Sequence, residues 1–153
     1  MNIRLIVFIA AGIIACATPW AGAQTLDLSL TPQVVSFPSS DPDAVPIVAA
    51  APVTINYRIR QNPKSTWSLT LLAGGDLISG PDQVDISNVT WTATPAPPFQ
   101  SGTLSKTVAQ RIASGTGNVS NPSSGSVTFR LVNSWTYSTG TYTQTIVFTL
   151  STP

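Results

Sequence analysis

The chain has 153 residues, of which only 8% are charged, and its seven Lys and Arg residues nearly balance its six Asp residues. It contains no His and no Glu, and its single Cys, Cys16, lies close to the N-terminus. Metal ligation, nucleophile activation and proton transfer near neutral pH depend largely on His, Cys and Glu. We therefore predict a protein that is not an enzyme, with no catalytic residue, no metal site and no cofactor. A nearly neutral surface also lacks the positive charge that binds nucleic acid.

The first 23 residues have the pattern of a secretory signal peptide. Arg4 precedes an apolar run over residues 5–15, and the small residues Ala21-Gly22-Ala23 form a cleavage site. We predict cleavage after Ala23 and a mature chain, 24–153, that forms one domain with no transmembrane span. Two alternatives remain open: Ile13-Ile14-Ala15-Cys16 resembles a lipoprotein processing site, and the segment could stay attached as an anchor. In each case we expect a secreted, cell-surface or periplasmic protein.

Beyond the signal, apolar residues recur with a period of two, which is typical of β-strands with one buried face. The clearest case is 53–59, followed by 67–71, 89–93, 127–131 and a last strand over about 141–150. Leu26, Leu28 and Leu30 predict an earlier strand, which either closes the chain's own sandwich, the alternative we favour, or is donated to a neighbour.

Proline and glycine clusters separate these runs. A Pro-rich crossing lies around Pro42, a single strand is predicted over about 103–112, and the Gly, Ser and Asn residues of 114–125 predict a loop. Short strands at this spacing predict an all-β, immunoglobulin-like antiparallel β-sandwich of about seven to nine strands.

Two segments resemble the signature segments of WxL cell-surface domains. These are Thr66-Trp67-Ser68-Leu69-Thr70-Leu71 and the terminal stretch 142–153, although Phe148 stands where that family has its second Trp. The resemblance implies a non-catalytic domain that binds the cell wall.

A second resemblance is to the spore-coat-U type of secreted, pilin-like subunit, which a chaperone and an usher assemble. It rests on Val35-Ser36-Phe37 before Asp41-Pro42 and on Gly140-Thr141-Tyr142-Thr143-Gln144-Thr145. The chain lacks the cysteines that are common in that family. Both resemblances imply an exported immunoglobulin-like domain that functions by contact.

Few side chains suggest a binding site. Trp67 and Trp91 share the register of apolar neighbours, which favours core positions. Trp135 and Tyr137 instead follow Asn133-Ser134 near a glycine turn, so we expect them at the rim, as possible surface-binding residues. Asp76, Asp82 and Asp85 lie within ten residues, but their spacing matches no EF-hand loop, and we interpret them as turn residues.

Together these features predict an exported, non-enzymatic cell-envelope protein with a structural or adhesive role. Its partner would be an envelope polymer, a neighbouring surface protein or another copy of itself. One alternative is a pilus- or fibre-like subunit assembled by β-strand exchange. Another is a carbohydrate- or wall-binding module that uses Trp135 and nearby Tyr side chains.

Overall fold

The computed structural model describes residues 3–14 and 24–153, the first range by its backbone and strand pairing. Within these residues two β-sheets pack against each other, so the predicted all-β sandwich is confirmed. A single turn of 3-10 helix covers Ile86–Asn88. The strands are β1 Ile3–Ile14, β2 Thr25–Thr31, β3 Val34–Phe37, β4 Ile47–Ala49, β5 Val53–Arg60, β6 Thr66–Ala73, β7 Leu77–Ser79, β8 Asp82–Val84, β9 Val89–Thr94, β10 Gly102–Thr103, β11 Gln110–Thr116, β12 Val119–Val132 and β13 Gly140–Ser151.

The first sheet has the strand order β11-β6-β13-β1-β3, with the β7–β8 hairpin attached to β13. The second has the order β10-β9-β12-β5-β2, with β4 paired to β12 in line with β5. Neighbouring strands are antiparallel except for β1, which runs parallel to β13. The strands outnumber the predicted seven to nine, because β4, β7, β8 and β10 are only two or three residues long. Such short strands show too little alternation to be recognised in a sequence.

The apolar residues that alternate along the sequence form the core between the sheets. In β5, Val53, Ile55, Tyr57 and Ile59 are buried, while the residues that alternate with them are exposed or half-buried. Trp91, Phe129 and Phe148 are the largest fully buried side chains. Removing this much apolar surface from water is the dominant favourable term in folding.

The N-terminal part of residues 24–153 contributes to both sheets. β2 pairs with β5 of its own chain, burying Leu26 and Leu30. After Thr31-Pro32 the chain crosses to the first sheet as β3, where Val35 and Phe37 are buried. The segment with Leu26, Leu28 and Leu30 therefore lies in the sandwich of its own chain in this structure.

Two of the sequence predictions are wrong. Residues 114–125 are not a loop, because β11 continues to Thr116 and β12 begins at Val119 after a turn at Gly117 and Asn118. The single strand predicted over 103–112 is instead the end of β10, a loop and the start of β11. Over 114–125 hydrogen bonds from neighbouring strands override weak local preferences, since β11 pairs with β6 and this part of β12 pairs with β5.

Gly125 illustrates why a small residue belongs in β12. A Cβ atom at this position would lie 2.2 Å from the Phe99 ring, and Phe99 is itself 2% exposed. The missing side chain allows the ring to pack directly on the strand.

We predict that Gly125→Ala destabilises the domain by about 1–3 kcal/mol, because the added methyl group must displace a packed aromatic ring. Ser124→Ala, at the exposed neighbouring position, is the matched control and should change stability by about 0.5 kcal/mol or less. Urea unfolding of the two variants measures the difference. Equal stability of the two would contradict the packing described here.

Candidate functional site

The most unusual feature of the first sheet is the position of β1. All twelve of its residues pair with β13, from Ile3 opposite Gly140 to Ile14 opposite Ser151. Its other edge pairs with β3, from Leu5 opposite Phe37 to Phe8 opposite Val34. β1 therefore fills the space between the last strand of the chain and the strand that enters the first sheet.

The two strands beside β1 depend on it to different degrees. β13 also pairs with β6 and β7, whereas β3 pairs with no other strand in the part of the chain that the structure describes. Alternate residues of β1 are in register with buried positions of β13, among them Tyr142, Ile146 and Phe148. A segment of twelve residues, apolar except for Arg4, thus completes the strand pairing of this sheet.

β1 lies within the segment that the sequence predicts to be a cleaved export signal. Cys16 and the predicted cleavage site at Ala21-Gly22-Ala23 fall outside the described residues, so both processing predictions remain predictions. Adjacent strands are spaced by about 4.8 Å. Loss of residues 1–23 would therefore leave β13 and β3 roughly 10 Å apart with two unpaired edges facing each other. The sequence pattern identified the apolar segment, but not the place it occupies.

The segments behind both family resemblances lie in this sheet. Val35-Ser36-Phe37 belongs to β3 and Gly140–Thr145 to β13, so the spore-coat-U-like segments are the two strands on either side of β1. The WxL-like segments form β6 and β13, which are direct neighbours with Leu71 opposite Phe148.

The rim residue Trp135 lies at one end of the sandwich, between β12 and β13. Its side chain is 54% exposed, and its indole N–H donates a hydrogen bond of 3.0 Å to the Asp43 carboxylate. Tyr137 is only partly exposed and packs against the core, and burial raises the pKa of its phenol. Trp135 is thus the more accessible of the two predicted binding residues.

Three further exposed apolar side chains accompany Trp135, and we call the four together the rim patch. Its other members are Val45, Ile47 and Val132, of which the last two are directly paired across strands β4 and β12. Asn133 connects the two loops that carry the patch, since its side-chain amide donates to the carbonyls of Ser40 and Val45. The patch is therefore held in a defined arrangement before any partner binds.

The Asp-rich segment forms a buried ion pair. Asp76 is 7% exposed and accepts hydrogen bonds from Lys106, Gln83 and the backbone N–H of Ile86. Its oxygens are thus already occupied by protein donors, and no group of three potential metal ligands occurs among residues 3–14 and 24–153. Asp85 lies on the far side of Lys106, 3.9 Å from its ammonium group.

These contacts shift the ionisation of the cluster. The hydrogen bond from Lys106, followed by that from the Ile86 N–H, lowers the pKa of Asp76. The same pairing raises the pKa of Lys106. Both shifts favour the charged forms, which suits a structural ion pair and not a proton donor or acceptor near neutral pH.

Two surface depressions lie on the faces of the domain. One, of about 390 Å³, lies over β2 and β5 beside the Arg58–Asp27 ion pair. The other, of about 540 Å³, extends from Arg111 in β11 along β6 to the end of β13 and is lined by several Ser and Thr hydroxyls. Neither brings together a nucleophile and a base. No helix in the described parts of the chain is long and apolar enough to cross a membrane.

Comparison with known proteins adds no family to these observations. No protein-family model matches the chain, and no curated protein sequence matches it significantly.

The burial of the tryptophans predicts their roles in stability. Trp91 is 2% exposed and donates its N–H to the Gln100 carbonyl, so Trp91→Ala should destabilise the domain by about 3–5 kcal/mol. Trp135→Ala is the matched control and should cost about 1 kcal/mol or less, since the side chain is largely in water. Thermal or urea unfolding distinguishes the two. A Trp135 variant as unstable as the Trp91 variant would show that the rim residue is part of the core.

The Asp76 ion pair predicts a pH dependence. Because the pKa of Asp76 in the folded state lies below that of an ordinary aspartate, the carboxylate stabilises the fold at higher pH, and this contribution disappears as pH falls through the depressed pKa. Asp76→Asn should therefore be less stable than the wild type at pH 7, by about 1–3 kcal/mol, with the difference vanishing in strong acid. Urea unfolding at several pH values tests this. A difference that is the same at pH 7 and pH 2 would contradict it.

Proposed function

We propose that this protein is an exported, non-enzymatic structural subunit of the cell envelope, whose first sheet is completed by a β-strand from another polypeptide. The observation that carries this proposal is the position of β1 between β13 and β3. β1 belongs to the predicted signal peptide, so export would remove the strand that completes the sheet. The mature domain would then need a replacement.

The physical argument concerns the edge of β13. An unpaired edge presents a row of N–H and C=O groups that readily pairs with another chain. Twelve consecutive positions of β13 are involved here, together with the whole of β3, whose only strand partner in the described residues is β1. A strand of alternating apolar residues from a partner would restore the backbone hydrogen bonds and cover the core at the same time.

The resemblance to spore-coat-U type subunits supports the same proposal. Its two segments in this chain coincide with β3 and with the beginning of β13. Subunits of that kind are assembled by a chaperone and an usher, which suggests that the partner strand comes first from an assembly factor and later from a neighbouring subunit. β2 is not the donor in this structure, because it pairs with β5 of its own chain.

An adhesive role at a wall or glycan surface is the second candidate. Its support is Trp135, whose exposed indole is a typical stacking surface for sugars. However, the nearby apolar members of the rim patch, Val45, Ile47 and Val132, are aliphatic, which is more typical of protein contacts. We therefore place strand acceptance first.

The experiment uses the chain beginning at Gln24 and a synthetic peptide of residues 3–14 with a short lysine tail for solubility. We expect the peptide to bind and to stabilise the domain by about 2.7 kcal/mol when it is present at a hundredfold excess over its Kd. Hydrogen exchange should slow along 140–151 and 34–37, where the peptide supplies new partners.

A peptide carrying Val7→Pro is the matched control, because proline lacks the N–H needed for strand pairing. A peptide with the reversed sequence tests whether the parallel direction of β1 is preferred. If the domain is equally stable with and without the peptide, and 140–151 is already protected from exchange, the proposal of strand acceptance fails.

A further inference from the structure

The charges of the domain are separated along its long axis. β12 runs from Val119 at one end to Val132 at the other, and the chain then returns along β13. We call the end with residues 38–46, 74–88, 104–109 and 133–139 the acidic end, and the end with residues 61–65 and 117–118 the basic end. The strand pairing defines both, since Ile47 lies opposite Val132 and Arg60 opposite Thr25.

Within residues 24–153, the mature chain that the sequence predicts, five of the six carboxylates lie towards the acidic end with only two cations, which leaves three net negative charges. The carboxylates are Asp41, Asp43, Asp76, Asp82 and Asp85, and the cations are Lys106 and Arg130. Arg4 of β1, opposite Thr141, adds a third cation at this end only while β1 is present. The basic end has three cations, Arg58, Arg60 and Lys64, against the single carboxylate of Asp27. Arg111 lies between the two ends, opposite Thr70 in the middle of β6. A domain without net charge is thus strongly dipolar.

Exposed charges without an ion pair in the described residues stand at both tips; away from the tips, Arg111 and Arg130 are also exposed and make none. Asp41 and Asp43 make no ion pair within the described residues, and both stand beside the rim patch. At the opposite end, Arg60 and Lys64 are likewise exposed and without an ion pair in the described chain. Arg58, by contrast, is neutralised by Asp27 at 2.6 Å.

Exposed apolar surface follows the same division. Six of the seven large apolar side chains that are exposed lie towards the acidic end, and four of them form the rim patch. They are Val45, Ile47, Ile78, Val108, Val132 and Trp135; the seventh, Val34, lies in β3. A partner for this end should therefore combine positive charge with some apolar surface.

The basic end meets this description. Its tip carries the exposed Pro63 between the exposed residues Asn62 and Lys64, with Arg60 close by in sequence. A cation from this end could stack on the exposed indole of Trp135 while the second cation faces the two carboxylates. The tip is also rigid, because the buried Gln61 side-chain amide donates to the carbonyls of Ser65 and Gly117, each at 3.0 Å.

We infer that copies of this protein associate head to tail, with the acidic end and rim patch of one copy against the basic end of the next. Such a contact joins two different surfaces at opposite ends of the domain, so each added copy leaves one surface of each kind free and the contact propagates into a linear array. The inference goes beyond strand acceptance, since the end contact requires no transfer of a strand and places no residue in the gap between β13 and β3.

The test uses the full chain as it is recovered after export, with its assembly measured by sedimentation velocity. The wild type should form chains of increasing length with concentration. Raising the salt from about 0.01 M to about 1 M should weaken this association, because the screening length falls from about 30 Å to about 3 Å.

Two double variants test the charges directly. Asp41→Lys with Asp43→Lys reverses the acidic tip, and Arg60→Asp with Lys64→Asp reverses the basic tip. Each variant alone should associate at least about tenfold more weakly than the wild type. An equimolar mixture should recover association, since each reversed tip then meets a complementary one. Arg111→Asp is the control away from both tips; it changes the charge by two units, half the change in each double variant, and should leave association unchanged.

The outcomes separate this inference from the proposed function. Association that survives saturation with the 3–14 peptide, and that follows the charge variants, supports the end contact even if the peptide does not stabilise the domain. A wild type that is monomeric at all concentrations overturns the inference. A symmetric dimer that persists in both double variants would also overturn it. The same holds if the Arg111 variant associates as weakly as the tip variants, or if the 3–14 peptide abolishes association.

Discussion

The pairing of β13 on both of its edges is the constraint on which the first sheet depends. β13 is long, its inward side chains are among the most deeply buried in the protein, and it lies between β6 and β1. The edge of β13 that faces β1 extends over twelve residues, and leaving that edge unpaired would lose the hydrogen bonds of the N–H and C=O groups that point towards it. Whatever occupies the place of β1 therefore determines how complete the sandwich is.

This dependence divides the molecule into two parts of different character. All the strand pairs of the second sheet lie within residues 24–153. β12 pairs with β9 on one side and with β4 and β5 on the other, and β2 pairs with the other edge of β5. The first sheet is continuous only while β1 is present, since β3 has no other strand partner in the described residues. Removal of β1 would therefore change the strand pairing of the first sheet and leave that of the second sheet intact.

The sequence predicts best where one face of a strand is buried and the other is in water. The alternation in β5, β6, β9 and β13 identified the inward residues correctly, including Trp67 and Trp91. It failed over 114–125, where Ser, Gly and Asn residues form the end of β11 and the beginning of β12 because β6 and β5 supply their hydrogen bonds and Phe99 packs on Gly125. Local composition cannot show which segments will find such partners.

The candidate sites were predictable to a similar, limited extent. The turn residues around Trp135 indicated its position at the rim, but not its neighbours Val45 and Ile47, which precede it by more than eighty residues. An apolar run such as 5–15 satisfies the requirements of an export signal and those of a buried strand equally, so its pairing with β13 could not be read from the sequence.

The separation of charge between the two ends was even less predictable. Residues 24–153 contain equal numbers of acidic and basic residues, and the alternation of apolar residues does not show where in the fold those charges lie. The topology places Asp41 and Asp43 at one tip and Arg60 and Lys64 at the other, and thereby turns a neutral composition into a directional surface.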